Sequence, residues 1–289
     1  MTTLLSFGHG FSARALTPLL LEQGWRVIGT TRSDEKRAGL EATGVEAWLF
    51  PGEDLGDALD RATHLLISAG PSEAGDPVLN ALQVEIAERS FEWVGYLSTT
   101  GVYGDHQGNW VDEQTALTPA TKRGKLRVEA EAAWRDMDLP LHIFRLAGIY
   151  GPGRGPFAKV RAGTARRIIK PGQVFSRIHV EDIAQVLAAS IQRPNPGAIY
   201  NLCDDDPAPP EDVIGYAAEL LGLPLPPAVD FETAEMTPMA RSFYAESKKV
   251  QNDRIKDELG VVLKYPDYRL GLKALLAQEE RGPEDGPEE

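Results

Sequence analysis

The sequence predicts an α/β fold in which a doubly wound parallel sheet is followed by a smaller C-terminal lobe. Along the first 150 residues, short apolar runs alternate with helical stretches, which is the pattern of βαβ units. A glycine-rich turn joins the first apolar run to the first helical stretch, as in sheets that bind a ligand at their carboxyl edge. After Tyr150 the run Gly151–Pro156 interrupts this pattern, and we expect the second lobe to begin there.

Each predicted element follows from local composition. Apolar runs of five or six residues predict strands, and the helical spacing of Leu79, Leu82 and Ile86 predicts a helix with one face on the sheet. The predicted strands are Thr3–Phe7, Trp25–Thr30, Val45–Phe50, His64–Ser68, Trp93–Ser98, Leu141–Leu146 and Ala198–Leu202. The predicted helices are Phe11–Gln23, Glu53–Arg61, Pro77–Arg89, Pro119–Met137, Val180–Gln192, Glu211–Leu221 and Ser247–Leu259.

The composition excludes several classes of protein. The 289 residues include 43 Asp and Glu against 30 Lys and Arg, which gives a formal net charge of −13. General nucleic-acid binding relies instead on basic side chains that neutralise phosphates. The sequence contains no long uncharged apolar run, the first ten residues lack a basic leader, and the single Cys203 cannot form an internal disulfide. We therefore expect a soluble, cytoplasmic protein without nucleic-acid or membrane partners.

The first turn reads G-x-G-x-x-A between a predicted strand and a predicted helix. Gly8 permits the tight turn, Gly10 lets the backbone approach a pyrophosphate, and Ala13 lets the helix pack closely on the strand. Phe11 and Ser12 open the helix, whose free N–H groups attract phosphates. The motif predicts a Rossmann-type dinucleotide site. The alternative is a tight turn that serves packing alone.

The end of the second predicted strand bears on the choice of dinucleotide. An NAD site usually has Asp or Glu there for the ribose 2′-hydroxyl, whereas an arginine suits the 2′-phosphate of NADP. Here Thr31 and Arg32 follow the strand, and Arg32 offers a guanidinium that binds phosphate oxygens in pairs. We predict NADP in preference to NAD. The alternative is that Arg32 only faces solvent beside Asp34.

Two later segments reach the same crevice, beyond the carboxyl ends of their strands. One of them is Leu97–Asp105, which contains two threonines. Further along, Thr121 and Lys125 lie four residues apart, so on a helix they share a face. The second of the two segments lies earlier in the chain and is a run of small residues, Ser68, Ala69 and Gly70, against which a nicotinamide ribose can lie.

These segments resemble the extended short-chain dehydrogenase/reductases, the NAD-dependent epimerase/dehydratase family. The resemblance runs from about Thr3 to Leu275 and keeps the order and spacing of the family's motifs. The stretch from 247 to 272 is similar to an atypical subgroup that lacks the family's tyrosine. The other matching segments are the glycine turn, Ser98–Gly104, Lys125–Glu129, Phe144–Arg154, Arg177–Asp182 and Tyr200–Leu202.

The resemblance implies a catalytic Ser or Thr, a Tyr and a Lys. Thr99 matches the residue that holds the substrate oxygen, and Lys125 matches the lysine that binds the nicotinamide ribose and lowers the pKa of the tyrosine. Thr121 stands where the tyrosine is expected, and an aliphatic hydroxyl is too short and too weak an acid for that proton transfer. Tyr103 is the nearest phenol that could replace it. The alternative is that Tyr103 only belongs to the surrounding motif.

A local excess of basic residues follows Tyr150. Between Gly151 and Val180 there are seven Lys and Arg and no Asp or Glu. We expect Arg154 and Arg177 to bind an anionic substrate, because guanidinium groups match phosphate oxygens. A solvated helix face or a dimer contact explains the excess equally well. The five histidines show no metal-ligand spacing, so no metal is expected.

We therefore expect a dinucleotide-binding domain over residues 1–150, to which residues 175–203 return. A mainly substrate-binding lobe spans 151–278, and an acidic tail spans 279–289. The predicted function is that of an NADP-dependent oxidoreductase or epimerase/dehydratase on a small anionic hydroxyl or carbonyl substrate, such as a nucleotide sugar. The missing tyrosine leaves an alternative, a catalytically silent NADP-binding sensor or scaffold. The resemblance also implies a homodimer.

Overall fold

The structure, a computed structural model, describes residues 1–281. Its strands begin and end close to the predicted bounds wherever the sequence shows a long apolar run. In chain order the strands are β1 (Thr3–Phe7), β2 (Arg26–Thr31), β3 (Glu46–Leu49), β4 (His64–Ile67), β5 (Trp93–Thr99), β6 (Trp110–Val111), β7 (Leu141–Leu146), β8 (Gly148–Tyr150), β9 (Arg167–Ile169), β10 (Arg177–His179), β11 (Ile199–Leu202), β12 (Ala228–Asp230) and β13 (Lys249–Val250).

Helices separate most of these strands, and a single 3₁₀ turn, Thr100–Tyr103, follows β5. They are α1 (Phe11–Leu21), α2 (Asp34–Glu41), α3 (Gly56–Arg61), α4 (Pro77–Ala87), α5 (Lys122–Arg135), α6 (Phe157–Arg161), α7 (Val180–Gln192), α8 (Pro210–Leu220), α9 (Pro238–Phe243), α10 (Asp253–Asp257) and α11 (Tyr268–Arg281). No helix within residues 1–281 is long and apolar enough to cross a membrane.

The core of the molecule is a parallel sheet in the order β11-β7-β5-β4-β1-β2-β3. The order reverses between β1 and β4, which is where a doubly wound sheet opens a crevice at the carboxyl ends of its strands. Apolar side chains on both faces of the sheet are buried. Helices α1 and α7 cover one face, and α3, α4 and α5 cover the other. The predicted Rossmann-type α/β fold is confirmed.

Two local predictions were wrong or incomplete. No helix was predicted between β2 and β3, but α2 lies there. It has Asp34 and Glu35 in its first turn, and of its residues only Leu40 is buried. One apolar contact leaves little hydrophobic periodicity to detect. The predicted helix Ser247–Leu259 is also replaced, because its beginning pairs as β13 with β6 and only α10 remains helical.

The chain after Tyr150 builds a second core of its own. Tyr150, Phe157, Val213 and Leu272 are buried together, away from the main sheet. Short parallel pairs, β10 with β8 and β12 with β9, connect this part. The predicted acidic tail begins inside α11, where Glu279 forms an ion pair with Arg161 at 2.6 Å. The remainder of that tail, 282–289, lies outside the described residues.

Candidate functional site

The glycine turn lies at the crevice between β1 and β4. Gly8 has a φ of +72°, and a Cβ added to it would lie 2.9 Å from the amide nitrogen of Ala69. Its N–H donates to Thr30 Oγ1 at 2.8 Å. Both the backbone conformation and the close approach of Ala69, just after β4, therefore require glycine at this position.

Gly10 differs from Gly8 in both respects. Its φ is −100°, and an added Cβ would have no neighbour closer than the Gly8 carbonyl oxygen at 3.6 Å. Neither backbone nor packing requires glycine here, so its small size keeps a space free above the turn. Helix α1 begins at Phe11 without a side-chain cap, and Ser12 lines the cavity described below, while Ala13 is buried. These features fit the phosphates of a dinucleotide.

His9, inside the same turn, is a buried brace. Its Nε2 is 3.0 Å from Thr17 Oγ1 on α1, and its ring lies 2.8 Å from the position of a Cβ added to Gly29 on β2. Burial, with a smaller contribution from the charge of Arg14, lowers the pKa of His9 to about 4. His9 is therefore neutral at physiological pH and fixes the turn between strand and helix.

The residues after β2 leave Arg32 available. Thr31 is buried at the end of the strand, whereas Arg32 is exposed and forms no hydrogen bond or ion pair with any residue in 1–281. The nearby Arg37, by contrast, pairs with Glu53 and with Asp34. Arg32 thus lies at the carboxyl end of β2 with its guanidinium uncommitted.

The small residues after β4 form the floor of the crevice. The N–H groups of Ser68 and Ala69 both donate to the Phe7 carbonyl oxygen, at 2.9 and 3.0 Å. Ser68 lines the cavity, and a Cβ added to Gly70 would lie 3.3 Å from Arg127 Nη2. The segment Ser68–Gly70 therefore lies close to the guanidinium group of Arg127 on α5.

Thr99 ends β5 and also lines the cavity. Its Oγ1 accepts a hydrogen bond from the Gly101 N–H at 3.1 Å, which caps the following 3₁₀ turn. Because that bond occupies a lone pair and not the hydroxyl hydrogen, Thr99 can still donate to a substrate oxygen.

Tyr103 does not face the cavity. The side chain is fully buried, its hydroxyl donates to Asn201 Oδ1 at 2.7 Å, and it accepts from Arg145 Nη1 at 3.0 Å. Burial raises the pKa of Tyr103 to about 12. The structure thus separates this phenol from Thr99 and gives it a structural hydrogen-bond network instead.

Of the two residues predicted on this helix, the structure brings one to the cavity. Thr121 caps α5, accepting from the Gly124 N–H at 3.1 Å, and lines the cavity, whereas Lys125 is exposed and does not line it. Arg123 and Arg127, also four residues apart, do line it. The i,i+4 pair that the structure brings to the site is therefore offset by two positions from Thr121 and Lys125.

The buried glutamate of α5 shows the same offset. Glu131 is fully buried and accepts from Arg145 at 2.8 and 3.1 Å and from Ser98 Oγ at 2.6 Å, whereas Glu129 is exposed. The motif spacing that the sequence shows at Lys125 and Glu129 thus occurs a second time, at Arg127 and Glu131. Only the second pair faces inward.

A cavity of about 730 Å³ runs from Ser12 and Ser68, past Thr99, to residues of the second core. Its size is typical of a small-molecule site. Three charged residues outside that core also line it, Arg177, Lys248 and Glu246, of which the sequence analysis had singled out only Arg177. Across the described chain, the basic side chains that line it are Arg123, Arg127, Arg154, Arg177 and Lys248, and the only acidic one is Glu246.

The two arginines predicted to bind substrate both line this cavity but differ in environment. Arg154 is exposed, and its Cζ lies 5.5 Å from the centre of the Phe11 ring. Arg177 donates to the carbonyl oxygens of Phe175 and Ala208, at 2.8 and 3.0 Å, and burial lowers its pKa. Arg154 is thus beside the glycine turn, whereas Arg177 is fixed in the wall. No cluster of His, Cys, Asp or Glu in residues 1–281 could hold a metal ion.

Lys248 and Glu246 come from the segment before β13. Lys248 Nζ donates to Glu246 Oε2 at 2.8 Å and to the Gly104 carbonyl oxygen at 2.7 Å, and both side chains are buried. The sequence analysis had predicted a helix from Ser247 and noted the resemblance of this segment to the atypical subgroup, but it gave neither residue a role. Nothing local marks the two residues, because their contacts with the turn after β5 span more than a hundred positions.

Comparison with known proteins gives consistent relatives. The chain is 31% identical over 278 residues to protein YeeZ of Escherichia coli, with 90% of this chain and 95% of that protein covered. A solved structure from Silicibacter pomeroyi, described as a functionally unknown conserved protein, is 66% identical with a TM-score of 0.93, covering 96% of this chain and 99% of the other. A candidate NAD-dependent epimerase/dehydratase from Methylobacillus flagellatus is 28% identical with a TM-score of 0.74, covering 97% and 99%. No family model matches the chain.

Proposed function

The chain belongs to the extended short-chain dehydrogenase/reductases, in the same family as Escherichia coli YeeZ, and from this premise we propose an NADP-dependent oxidoreductase or epimerase/dehydratase. Its substrate is a small anionic compound with a reacting hydroxyl or carbonyl group, a class that includes the nucleotide sugars. The supporting observation is a cavity that extends from Ser12, at the glycine turn, to Thr99. Among its described lining residues are five basic side chains and one acidic one, in a chain of net charge −13.

The turn supports the dinucleotide. Neither the backbone conformation nor packing requires glycine at position 10, and the absence of a side chain there leaves a space free above the turn. Helix α1 begins beside this space without a side-chain cap. Ser12 and Arg154 line the same end of the cavity, so phosphates at the turn would meet N–H donors and a guanidinium. When bound, the dinucleotide supplies or accepts a hydride.

The reacting group of the substrate would meet Thr99 and Arg127. The Thr99 hydroxyl donates to the substrate oxygen, because its bond with the Gly101 N–H leaves the hydroxyl hydrogen free. Arg127 is held by the Leu97 carbonyl oxygen at 2.7 Å and by the Tyr96 hydroxyl at 3.0 Å. A guanidinium fixed in this way stabilises negative charge that develops on the substrate oxygen, without having to reorient.

Arg32 supports NADP as the preferred cofactor. It follows the second strand of the sheet, where the 2′ position of the adenosine ribose is read in this fold, and its guanidinium is uncommitted. No acidic side chain replaces it at that position, since Asp34 is already inside α2 and lies 3.8 Å from Arg37.

The test is a titration of NADPH and NADH into the wild type, followed by the fluorescence of the reduced nicotinamide. We expect NADPH to bind at least about 10-fold more tightly, and Arg32→Ala to lose about 10- to 100-fold in NADPH affinity with little change for NADH. Arg26→Ala is the matched control, because Arg26 is exposed at the opposite end of the same strand. Failure to bind either dinucleotide would refute the proposal.

A second candidate function is an NADP-binding sensor without catalysis. It is favoured by the two residues considered for the missing acid: Thr121 caps α5 and carries only an aliphatic hydroxyl, and Tyr103 is buried in a hydrogen-bond network. A screen of NADPH oxidation with anionic and neutral carbonyl compounds separates the two functions. Binding of NADPH without turnover of any compound would favour the sensor.

A further inference from the structure

The basic side chains of the cavity fall into two groups. Three are committed to protein acceptors: Arg127 to a carbonyl oxygen and a phenol, Arg177 to two carbonyl oxygens, and Lys248 to a carbonyl oxygen and a glutamate. The guanidinium groups of Arg154 and Arg123 donate to no residue in the described part of the chain. These two guanidinium groups therefore keep their donors for something else.

The two uncommitted groups lie beside different elements of the fold. Arg154 stacks on Phe11, the first residue of α1, and so belongs to the phosphate end. Arg123 precedes Gly124, which packs so tightly on the turn after Thr99 that an added Cβ would be 2.8 Å from the Gly101 carbonyl oxygen. Arg123 therefore lies at the end of the cavity where the reacting oxygen is held.

An aromatic side chain already covers one face of the Arg123 guanidinium. The Cζ of Arg123 is 4.8 Å from the centre of the Phe243 ring, and both residues line the cavity. Stacking occupies the face of the group but leaves its N–H donors, which point outward in the plane, free to bind two oxygens of one anion.

The Phe243 side chain is unusually exposed for an aromatic residue that lines a cavity. Half of its surface (50%) is accessible, and it ends α9, a helix without any buried residue. The helix is held mainly through Arg241, which donates to the carbonyl oxygens of Phe231 and Ala234. A ligand bound to Arg123 would cover the exposed side of the ring, so the apolar area of Phe243 contributes to binding.

We propose that Arg123 binds a carboxylate of the substrate and that Phe243 closes over it. This assignment rests on the proposed function and narrows it: the substrate is an oxo- or hydroxy-carboxylic acid whose reacting oxygen meets Thr99. A single free guanidinium at this end matches the single charge and planar shape of a carboxylate.

The test uses paired probes that differ only in the carboxylate. Calorimetry measures the binding of acetoacetate and 2-oxobutyrate, each beside its methyl ester, to protein saturated with NADP⁺. We expect at least one carboxylate to bind about 10- to 100-fold more tightly than its ester, and Arg123→Gln to remove that difference. Lys122→Gln is the matched control, because Lys122 is the neighbouring exposed cation on α5 and does not line the cavity. It should leave the affinity within about 2-fold.

Phe243→Ala should weaken carboxylate binding about 3- to 10-fold, since one exposed ring face is lost as a contact. Arg123 and Phe243 are both exposed, and an unchanged melting temperature would show that the variants fold. Equal binding of acid and ester, an equal effect of Lys122→Gln, or no binding of either acid would overturn the assignment. If NADP⁺ itself does not bind, the proposed function fails, and the same titrations on the cofactor-free protein still decide the role of Arg123.

Discussion

Replacing Glu131 by Gln should destabilise the protein more than most single substitutions. Glu131 is fully buried on α5 and accepts two hydrogen bonds from Arg145, which is also buried, and one from Ser98. The amide has the same shape as the carboxylate but removes the counter-charge, so a buried guanidinium is left without one. Breaking such a buried pair costs about 3–5 kcal/mol.

For a chain of this size, 1 kcal/mol shifts the melting temperature by about 2–4 °C, so the expected loss is about 6–20 °C. Urea unfolding at pH 7 measures the free energy directly, and thermal unfolding gives the shift. Glu129→Gln is the matched control, because it makes the same chemical change two residues earlier on the exposed side of the helix. It should change the free energy of unfolding by less than about 0.5 kcal/mol.

A double replacement separates burial of charge from loss of packing. Glu131→Leu combined with Arg145→Met removes both charges, and it should recover part of the stability that either single change loses. A loss below about 1 kcal/mol for Glu131→Gln, or equal losses for Glu131→Gln and Glu129→Gln, would refute the inward register of α5.

Three further predictions concern the glycine turn and the start of α5. Gly10→Ala should abolish NADPH binding, measured by calorimetry, without lowering the melting temperature. Gly8→Ala should lower the melting temperature, because Gly8 has a φ of +72° and an added Cβ would lie 2.9 Å from the amide nitrogen of Ala69. The same behaviour of both variants in calorimetry and thermal unfolding would contradict these two expectations. Burial lowers the pKa of His9 from 6.5 in the unfolded chain to about 4 in the folded protein, so its contribution to the free energy of unfolding is complete above pH 6.5. That contribution should fall by up to about 3 kcal/mol as the pH drops from 6.5 to 4. Urea unfolding of His9→Gln should therefore show a shallower pH dependence of the free energy of unfolding in that window, and an unchanged slope would exclude His9 as the cause. Thr121→Ala should lose the cap of α5 and about 1 kcal/mol of stability, measured by urea unfolding, while Thr121→Ser should retain most of it.

The parts of the site that depend on neighbouring residues could be predicted from the sequence. The glycine turn is a local feature, because strand, turn and helix follow one another within about 20 residues. Thr99 is also marked locally, because it ends a buried strand, and it lines the cavity. The catalytic roles given to Thr99 and Lys125, the NADP preference, the cytoplasmic location and the homodimer stay predictions.

The register of α5 could not be predicted in the same way. Lys125 with Glu129 and Arg127 with Glu131 have the same spacing, and either pair satisfies the motif. Arg145, a buried side chain on β7, forms an ion pair with Glu131, and this pair determines that Arg127 and Glu131 face inward. A tertiary ion pair of this kind leaves no periodic signal in the helix itself.

Long-range pairing also explains the other differences. The segment before β13 was predicted as helix, but Lys249 and Val250 pair with β6. Glu246 and Lys248 enter the cavity only because of that pairing, which brings them beside Gly104. Their place in the site is a property of the fold and is not visible in any short stretch of sequence.

The edge strand β11 has a consequence for the order in which the protein can fold during synthesis. Its partner β7 ends at Leu146, but β11 is complete only at Leu202, so a ribosome must add more than fifty residues while the edge of β7 stays unpaired. Unpaired edges of this kind invite association between nascent chains. The cavity is completed later still, once Leu272 has emerged. Ribosome-bound chains from which β7 but not β11 has emerged are therefore the ones that most need a chaperone.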